Sequence, residues 1–408
     1  MMKLHLWFRR FSAFIIGIVF VLSGIFKLLD PVGTGLIIKD YYLFFHLDFL
    51  DFTAKHIGWL LAFIETVLGL ALMAGIWRKH IAKSTLFFIV FFTCLTAIFL
   101  IYNPSMDCGC FGEALHLTHL QTFLKNLILL GISIISFVPF THLNRPNKRK
   151  IYIFFLATVL VFAFGIYSWR YLPVIDFTPY KTSTKLFKPD TESSLNESDF
   201  QANFIYEKDG IQKTFSLDNL PDSTWTYIDT QVISNIKETT NSLANLNIYS
   251  KEGKIKDELI HRKNVMIISI YNENSLNLKD WDNISEYIKD LKTIGYNPLI
   301  LTAAINYGDL INMLSKLGLN LENLSLIEEH LYTSDYKTLI TLNRSNSGLS
   351  YISNSYILSK WSRHSKPSFG KLEKIIKDHP VETYLEGSSR GTIFFKIYIL
   401  LIFLLMLI

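Results

Sequence analysis

Six apolar runs, each long enough or nearly long enough to cross a bilayer, constrain this chain more than any other feature. A membrane helix needs roughly 20 mostly apolar residues, because nothing in the hydrocarbon core can satisfy an open backbone. The runs cover about Phe11–Leu29, Ile57–Trp77, Ser84–Tyr102, Phe123–Phe140 and Ile151–Tyr171, with a shorter last one at Thr392–Ile408. Half of the 408 residues are hydrophobic and mean hydropathy is +0.27, which is too oily for a water-soluble domain alone. The first run lacks a small-residue cleavage site and is followed by Asp30-Pro31, so it reads as a retained helix rather than a signal peptide.

The net charge of +5 is concentrated beside these runs. Lys3, Arg9 and Arg10 precede the first; Arg78, Lys79, His80 and Lys83 join the second to the third; Arg145, Lys148, Arg149 and Lys150 join the fourth to the fifth. The three clusters alternate as cytoplasmic segments must, so the positive-inside rule predicts a cytoplasmic N-terminus. Asp30–His56, Asn103–Gln121 and the stretch from Leu172 to Gly391 are then expected outside. No basic stripe is interleaved with aromatic residues, so nucleic acid is not an expected partner.

Beyond Tyr171 the composition changes. Lys181–Gln201 is polar and reads as a tether. Asn203–Asp229, with turn signals at Asp209-Gly210 and Pro221-Asp222, predicts a small β element. From Lys263 strands and helices alternate: strand Val265–Ile270, helix Leu278–Ile294, strand Asn297–Ala303, helix Tyr307–Leu317, a short strand Leu324–Ile327, helix Asp335–Leu342, and a hairpin Gly348–Ile352/Tyr356–Trp361 around Asn354. That order fits an α/β, thioredoxin-like sheet.

The three cysteines are Cys94, Cys108 and Cys110, too few for a disulfide scaffold. Cys94 falls inside the third run and is expected to pack there. Asp107-Cys108-Gly109-Cys110-Phe111-Gly112 follows that run on the outer side. Two thiols separated by one glycine can close a small, strained disulfide, and strained, exposed disulfides are the exchangeable ones. A static staple is the competing reading, although a loop this short gains little from closure. A metal site using His116 and His119 with both cysteines is a third. Asp107 and Glu113 flank the motif, and negative charge there opposes thiolate formation.

Glu65 falls near the middle of the second run, where a carboxylate is costly and marks a functional candidate. Lys27 is its expected partner, and Ser23 lies one turn earlier on the same face. The pair serves either a proton or quinone-headgroup site below the cysteines or a clamp between helices. In the α/β part, Tyr271-Asn272-Glu273-Asn274-Ser275 follows the first central strand, where a thioredoxin-type enzyme would place its nucleophilic cysteine. That part cannot exchange thiols itself.

Gly17 … Ser23-Gly24-Ile25-Phe26-Lys27-Leu28 with Asp30-Pro31, then Glu65 … Gly69 … Leu72 … Gly75, then Cys108-Gly109-Cys110-Phe111-Gly112 carry a resemblance. Together they resemble the DoxX/MauE group of four-helix membrane proteins, over residues 1–143. The stretches Leu172–Phe177, Pro221–Trp225 and Arg344-Ser345-Asn346 are similar to a Bacteroidetes variety that appends a periplasmic thioredoxin-like domain. The resemblance implies a four-helix bundle in an inner membrane and a role in periplasmic disulfide metabolism; its methylamine pathway is not carried over. The expected layout is the bundle at 1–143, a fifth membrane helix at 150–172, a linker with a small β element at 173–261, a thioredoxin-like domain lacking catalytic cysteine at 262–390, and a C-terminal membrane helix at 392–408. One departure is Ser347, where thioredoxin-like domains usually carry a proline.

The expected chemistry places Cys108, Cys110, Glu65 and Lys27 in the reaction. A periplasmic thiol or disulfide protein is the partner, the bilayer is the solvent of the helices, and a membrane quinone is a candidate acceptor, the cofactor being otherwise unknown. A non-catalytic scaffold that recruits periplasmic partners is the alternative.

Overall fold

The computed structural model describes residues 2–104, 106, 108–138, 148–186, 200–208, 211–216, 226–234, 246–304, 306–377, 393 and 395–400. Helix α1 (Met2–Leu29) stops where Asp30 precedes Pro31, because a residue before proline avoids the helical region. Asp30 then caps α2 (Pro31–Phe44): its Oδ1 accepts from the Gly33 amide at 2.9 Å, with Pro31 at the first helical position. The connection between the first two apolar runs is therefore not a plain loop but α2 followed by a 3-10 turn at Asp48–Thr53.

Four more long helices follow: α3 (Ala54–Ala74), α4 (Arg78–Tyr102), α5 (His119–Phe137) and α6 (Lys148–Arg170). Among the described residues, five helices are long and apolar enough to cross a membrane, and α2 is not one of them. Each of the five starts three to nine residues before the corresponding apolar run and ends within three residues of it, 139–140 of the fourth run lying outside the described residues. Of the sixth, residues 393 and 395–400 are helical and Phe395 and Tyr398 pack on Phe164 of α6; the rest lies outside the described residues.

α1 and α3 touch backbone to backbone. A Cβ on Gly17 would stand 2.8 Å from the Gly69 carbonyl, and one on Gly24 would stand 2.7 Å from the Ala62 carbonyl. In lipid, where apolar surface gains nothing from leaving the tails, close approach of small residues is what joins helices. Arg9 ties α1 to α5, its Nε donating to the Ser136 carbonyl at 2.7 Å. Asn126 ties α5 to α4, its Nδ2 donating to Thr96 Oγ1 at 3.3 Å. Cys94 does not pack inside the bundle: its neighbour Thr93 is buried, and Cys94 is exposed on the outer face of α4 beside Phe91 and Ile98. At helical spacing one residue's shift exchanges the inner face for the outer.

A three-stranded antiparallel sheet, β1 (Phe200–Lys208), β2 (Ile211–Ser216) and β3 (Thr226–Ser234), has the order β2-β1-β3. The turns expected at Asp209-Gly210 and Pro221-Asp222 lie outside the described residues, as do 187–199 of the expected tether. Its first residues, 181–186, are not a free tether. The Ser183 and Leu186 amides donate to the Ile357 and Ser355 carbonyls, and Leu186 is buried.

A separate, mixed sheet has the order β6-β5-β4-β7-β8. It consists of β4 (Val265–Ile270), β5 (Asn297–Thr302), β6 (Leu331–Thr333), β7 (Gly348–Ser353) and β8 (Tyr356–Trp361), with β4, β5 and β6 parallel and β7 and β8 antiparallel to their neighbours. Met266, Ile268 and Ile270 face one core with α7 (Leu278–Ile294), α8 (Tyr307–Lys316), α9 (Leu321–His330) and α11 (Phe369–Lys377). Val265 and Ile267 face a second core under α10 (Tyr336–Leu342). Burial on both faces is why β4 reads as an unbroken apolar run. Asn354 and Ser355 both have positive φ, 49° and 68°, which fits a tight hairpin whose twist matches its strands.

The strand expected at Leu324–Ile327 is part of helix α9, and the third strand is β6 instead. Asn320 starts that helix, its Oδ1 accepting from the Asn323 amide at 2.7 Å. A four-residue apolar run cannot by itself distinguish strand from helix, so the cap decides.

Candidate functional site

The close α1–α3 contact sets Lys27 against Glu65. Lys27 Nζ lies 2.5 Å from Glu65 Oε2, and Glu65 is 9% exposed. Neither charge could be held at that depth without the other. Ser23, one turn before Lys27, donates from Oγ to the Cys110 carbonyl. The face of α1 that carries the ion pair thus also holds the cysteine loop.

That loop is sunk into the mouth of the bundle. Tyr41 of α2 donates its hydroxyl to the Cys108 carbonyl. Gly109 has φ +58°, and a Cβ there would meet Ile37 Cγ2 at 2.5 Å. Both the backbone conformation and the space admit only glycine between the two cysteines. Gly112, at φ +57°, closes the turn by donating to the Gly109 carbonyl at 3.1 Å. As a result Cys108 is 4% exposed and Cys110 half-buried. The pair is not the exposed one the sequence led us to expect, because the Ser23 and Tyr41 anchors draw its backbone inward.

Cys108 Sγ lies 2.9 Å from His119 Nδ1, and His119 Nε2 lies 2.9 Å from the Pro104 carbonyl. Thr118 caps α5 in a reciprocal pair with Gln121, which fixes His119 as the first residue of that helix. Among the described residues no group of three or more His, Cys, Asp or Glu side chains is placed to hold a metal ion, so His116, His119 and the two cysteines do not assemble the ligand set considered from sequence.

Cys108, Gly109, Cys110, Lys27 and Glu65 line one cavity of about 70 Å3, room for a few waters. The four residues singled out in the sequence for chemistry therefore share one chamber. Its remaining walls include Phe88, Phe92 and Leu129, with Lys125 and Asn126 from α5.

The mixed-sheet domain grips the cysteine loop through Arg344. Its Nε donates to Asp30 Oδ2 at 2.8 Å, its Nη2 to Glu113 Oε1 at 2.9 Å, and its Nη1 to the Ile340 carbonyl at 3.2 Å. Burial disfavours the guanidinium charge, but Asp30 and then Glu113 outweigh it and hold Arg344 above its usual range. Glu113 is thereby paired and turned to the sheet domain. Asp107 lies outside the described residues.

A second ion pair joins Asp176, after α6, to Lys360 of β8 at 2.5 Å. After β4, where a catalytic thiol was sought, the backbone is tied down by Asn346. Its Oδ1 accepts from the Tyr271 and Asn272 amides, and its Nδ2 donates to the Asn272 carbonyl and Ser275 Oγ. Tyr41, Arg344 and Asn346 each meet a segment far along the chain, so no local pattern marks them as partners, and the spacing of His119 points only to a metal ligand.

Residues 5–139 match the family described as methylamine utilisation protein MauE, and residues 200–235 match a domain of unknown function, DUF8463. A stretch of 150 residues is 28% identical to Protein TlpB of Flavobacterium psychrophilum; it takes in 36% of this chain and 41% of that protein, well under two thirds of its length. No solved structure matches. The helices α1–α5 and the cysteine loop they enclose therefore resemble MauE proteins, and the chain is an integral membrane protein.

Proposed function

We propose that this chain exchanges disulfides between the membrane and a thiol or disulfide protein outside it, with Cys108 and Cys110 as the exchanging pair. The observation that carries the reading is the shared cavity: both cysteines and the Lys27–Glu65 pair line one chamber at the mouth of the bundle. In this reading Glu65 and Lys27 pass protons between the thiols and a membrane acceptor, for which a quinone is the candidate class. The Lys and Arg clusters support a cytoplasmic N-terminus and a periplasmic sheet domain in a bacterial inner membrane. The strand order β5-β4-β7-β8, with α7 after β4 and α11 after β8, supports a thioredoxin-like fold for that domain. It serves as a docking and positioning element, since its own thiol position is empty of cysteine.

The test is a titration of the purified full-length Cys94→Ser chain in glutathione buffers of graded potential, with the remaining thiols counted by alkylation and mass. A two-electron transition of Cys108 and Cys110 together is expected. A pair that stays reduced, or stays oxidised, across the whole range overturns the reading.

A non-catalytic scaffold is the second reading, favoured by the Asn346-tied loop and by the ion pairs through which Arg344, Lys337 and Lys360 join the sheet domain to the membrane part. It requires neither cysteine for the redox state of other proteins.

A further inference from the structure

We infer that His119 is the base that makes Cys108 the attacking thiol, with Cys110 the resolving one. The inference rests on the exchange reading above and adds to it an order of events. The Pro104 carbonyl has no proton to give, so His119 Nε2, 2.9 Å away, carries the N–H of the neutral ring. Nδ1 then presents its lone pair, and it faces Cys108 Sγ at 2.9 Å. A thiol against an accepting imidazole nitrogen, with that imidazole oriented by a third group, is the arrangement of an activated cysteine. Among the described residues none hydrogen-bonds Cys110 Sγ; its carbonyl, not its sulfur, is what Ser23 holds.

The steps balance as ordinary exchange. The Cys108 thiol gives its proton to Nδ1, leaving a thiolate beside an imidazolium. The thiolate attacks one sulfur of a partner disulfide; the bond between Cys108 and that sulfur forms, the partner's disulfide breaks, and the departing partner thiolate takes the proton from His119. Cys110 then loses its proton to His119 Nδ1 or water and attacks Cys108 Sγ. The mixed disulfide breaks, a second partner thiol leaves, and Cys108–Cys110 is oxidised as the partner is reduced. The reverse sequence oxidises a partner dithiol.

Other charges face this pair. Lys27 of α1, Glu65 of α3 and Lys125 of α5 line the same cavity, and Tyr41 of α2 bonds the Cys108 carbonyl. From α4 the pair meets the uncharged ring of Phe99, 6.2 Å from the His119 ring. Lys27 is paired with Glu65, and His119 Nδ1 lies within hydrogen-bond reach of Sγ.

The experiment measures alkylation of Cys108 by iodoacetamide against pH, in the purified full-length Cys94→Ser/Cys110→Ser chain, with and without His119→Gln. The readout is the midpoint of the rate profile, which reports thiolate and not access. We expect the midpoint in the His119 chain to lie at least one pH unit below that of His119→Gln, about a tenfold difference in rate at the lower pH. Lys125→Met should leave the midpoint where it is. Superimposable profiles with and without His119 overturn the assignment. Because no partner disulfide is present, this outcome is separate from that of the glutathione titration: a shifted midpoint with an inert pair would sink the exchange reading and keep the dyad.

Discussion

Arg344 Nε and Asp30 Oδ2 lie 2.8 Å apart although 314 residues separate them in the chain. Asp30 ends α1, three residues beyond Lys27, and starts α2, while Arg344 also reaches Glu113, three residues beyond Cys110. One buried guanidinium thus joins the ion-pair helix, the cysteine loop and the sheet domain.

Arg344→Met leaves Asp30 buried without its counter-charge, and loss of one partner of a buried pair costs about 3–5 kcal/mol. The sheet domain should loosen from the bundle, exposing the 172–177 segment to protease and Cys110 to alkylation. Glu113→Gln should do much less, since Glu113 is only partly buried and the Asp30 contact survives. Equal effects from the two variants would show that Arg344 does not act through Asp30.

Gly109→Ala should distort the cysteine loop for two reasons. A left-handed backbone costs an L-residue about 1–2 kcal/mol, and the new methyl meets Ile37. The double variant Gly109→Ala/Ile37→Ala removes the clash but not the backbone strain, so it should recover part of the stability. Thermal unfolding in detergent reads this; full recovery would place the whole effect in the Ile37 contact.

Lys27→Met and Glu65→Leu should each destabilise the bundle, again by about 3–5 kcal/mol, while the double variant should be less costly than either. If the pair also moves protons, the double variant regains stability without regaining re-oxidation of Cys108 and Cys110. Recovery of both would make Lys27–Glu65 a helix clamp only.

Much of this was legible in the sequence, for physical reasons. Five helices announced themselves by apolar length, and Glu65 announced a partner because a lone carboxylate in lipid is intolerable. The alternation from Val265 onward gave the mixed sheet, save that four apolar residues at Leu324–Ile327 were too few to separate strand from helix. The third dimension of the site was not legible. Nothing in the local pattern says that Cys108 is drawn below the surface by Tyr41, that Arg344 reaches Glu113, or that Cys94 faces outward one residue from the buried Thr93.

The Asp176–Lys360 contact carries a pH signature. Burial alone would raise the Asp176 pKa, but the Lys360 charge and hydrogen bonds from Lys360 and Thr178 prevail and hold it below the usual carboxylate range. A depressed folded-state pKa stabilises above the unfolded value, near 3.9, and that stabilisation fades as pH falls toward the folded value. The stability gap between the native chain and Asp176→Asn should therefore be constant from neutral pH to about pH 5 and narrow below about pH 4. A gap independent of pH down to acid unfolding would mean that the carboxylate charge contributes nothing.

The most direct measurement is acid-quench trapping of Cys108 and Cys110 in intact cells carrying the Cys94→Ser chain, before and after a pulse of reductant, with alkylation in denaturant so that burial does not hide Cys108. Disulfide exchange predicts an oxidised pair that reduces in the pulse and re-oxidises within minutes, and that fails to do so when either cysteine is replaced. Thiols that are never oxidised, or a disulfide that no reductant opens, would contradict it and leave the chain a membrane scaffold.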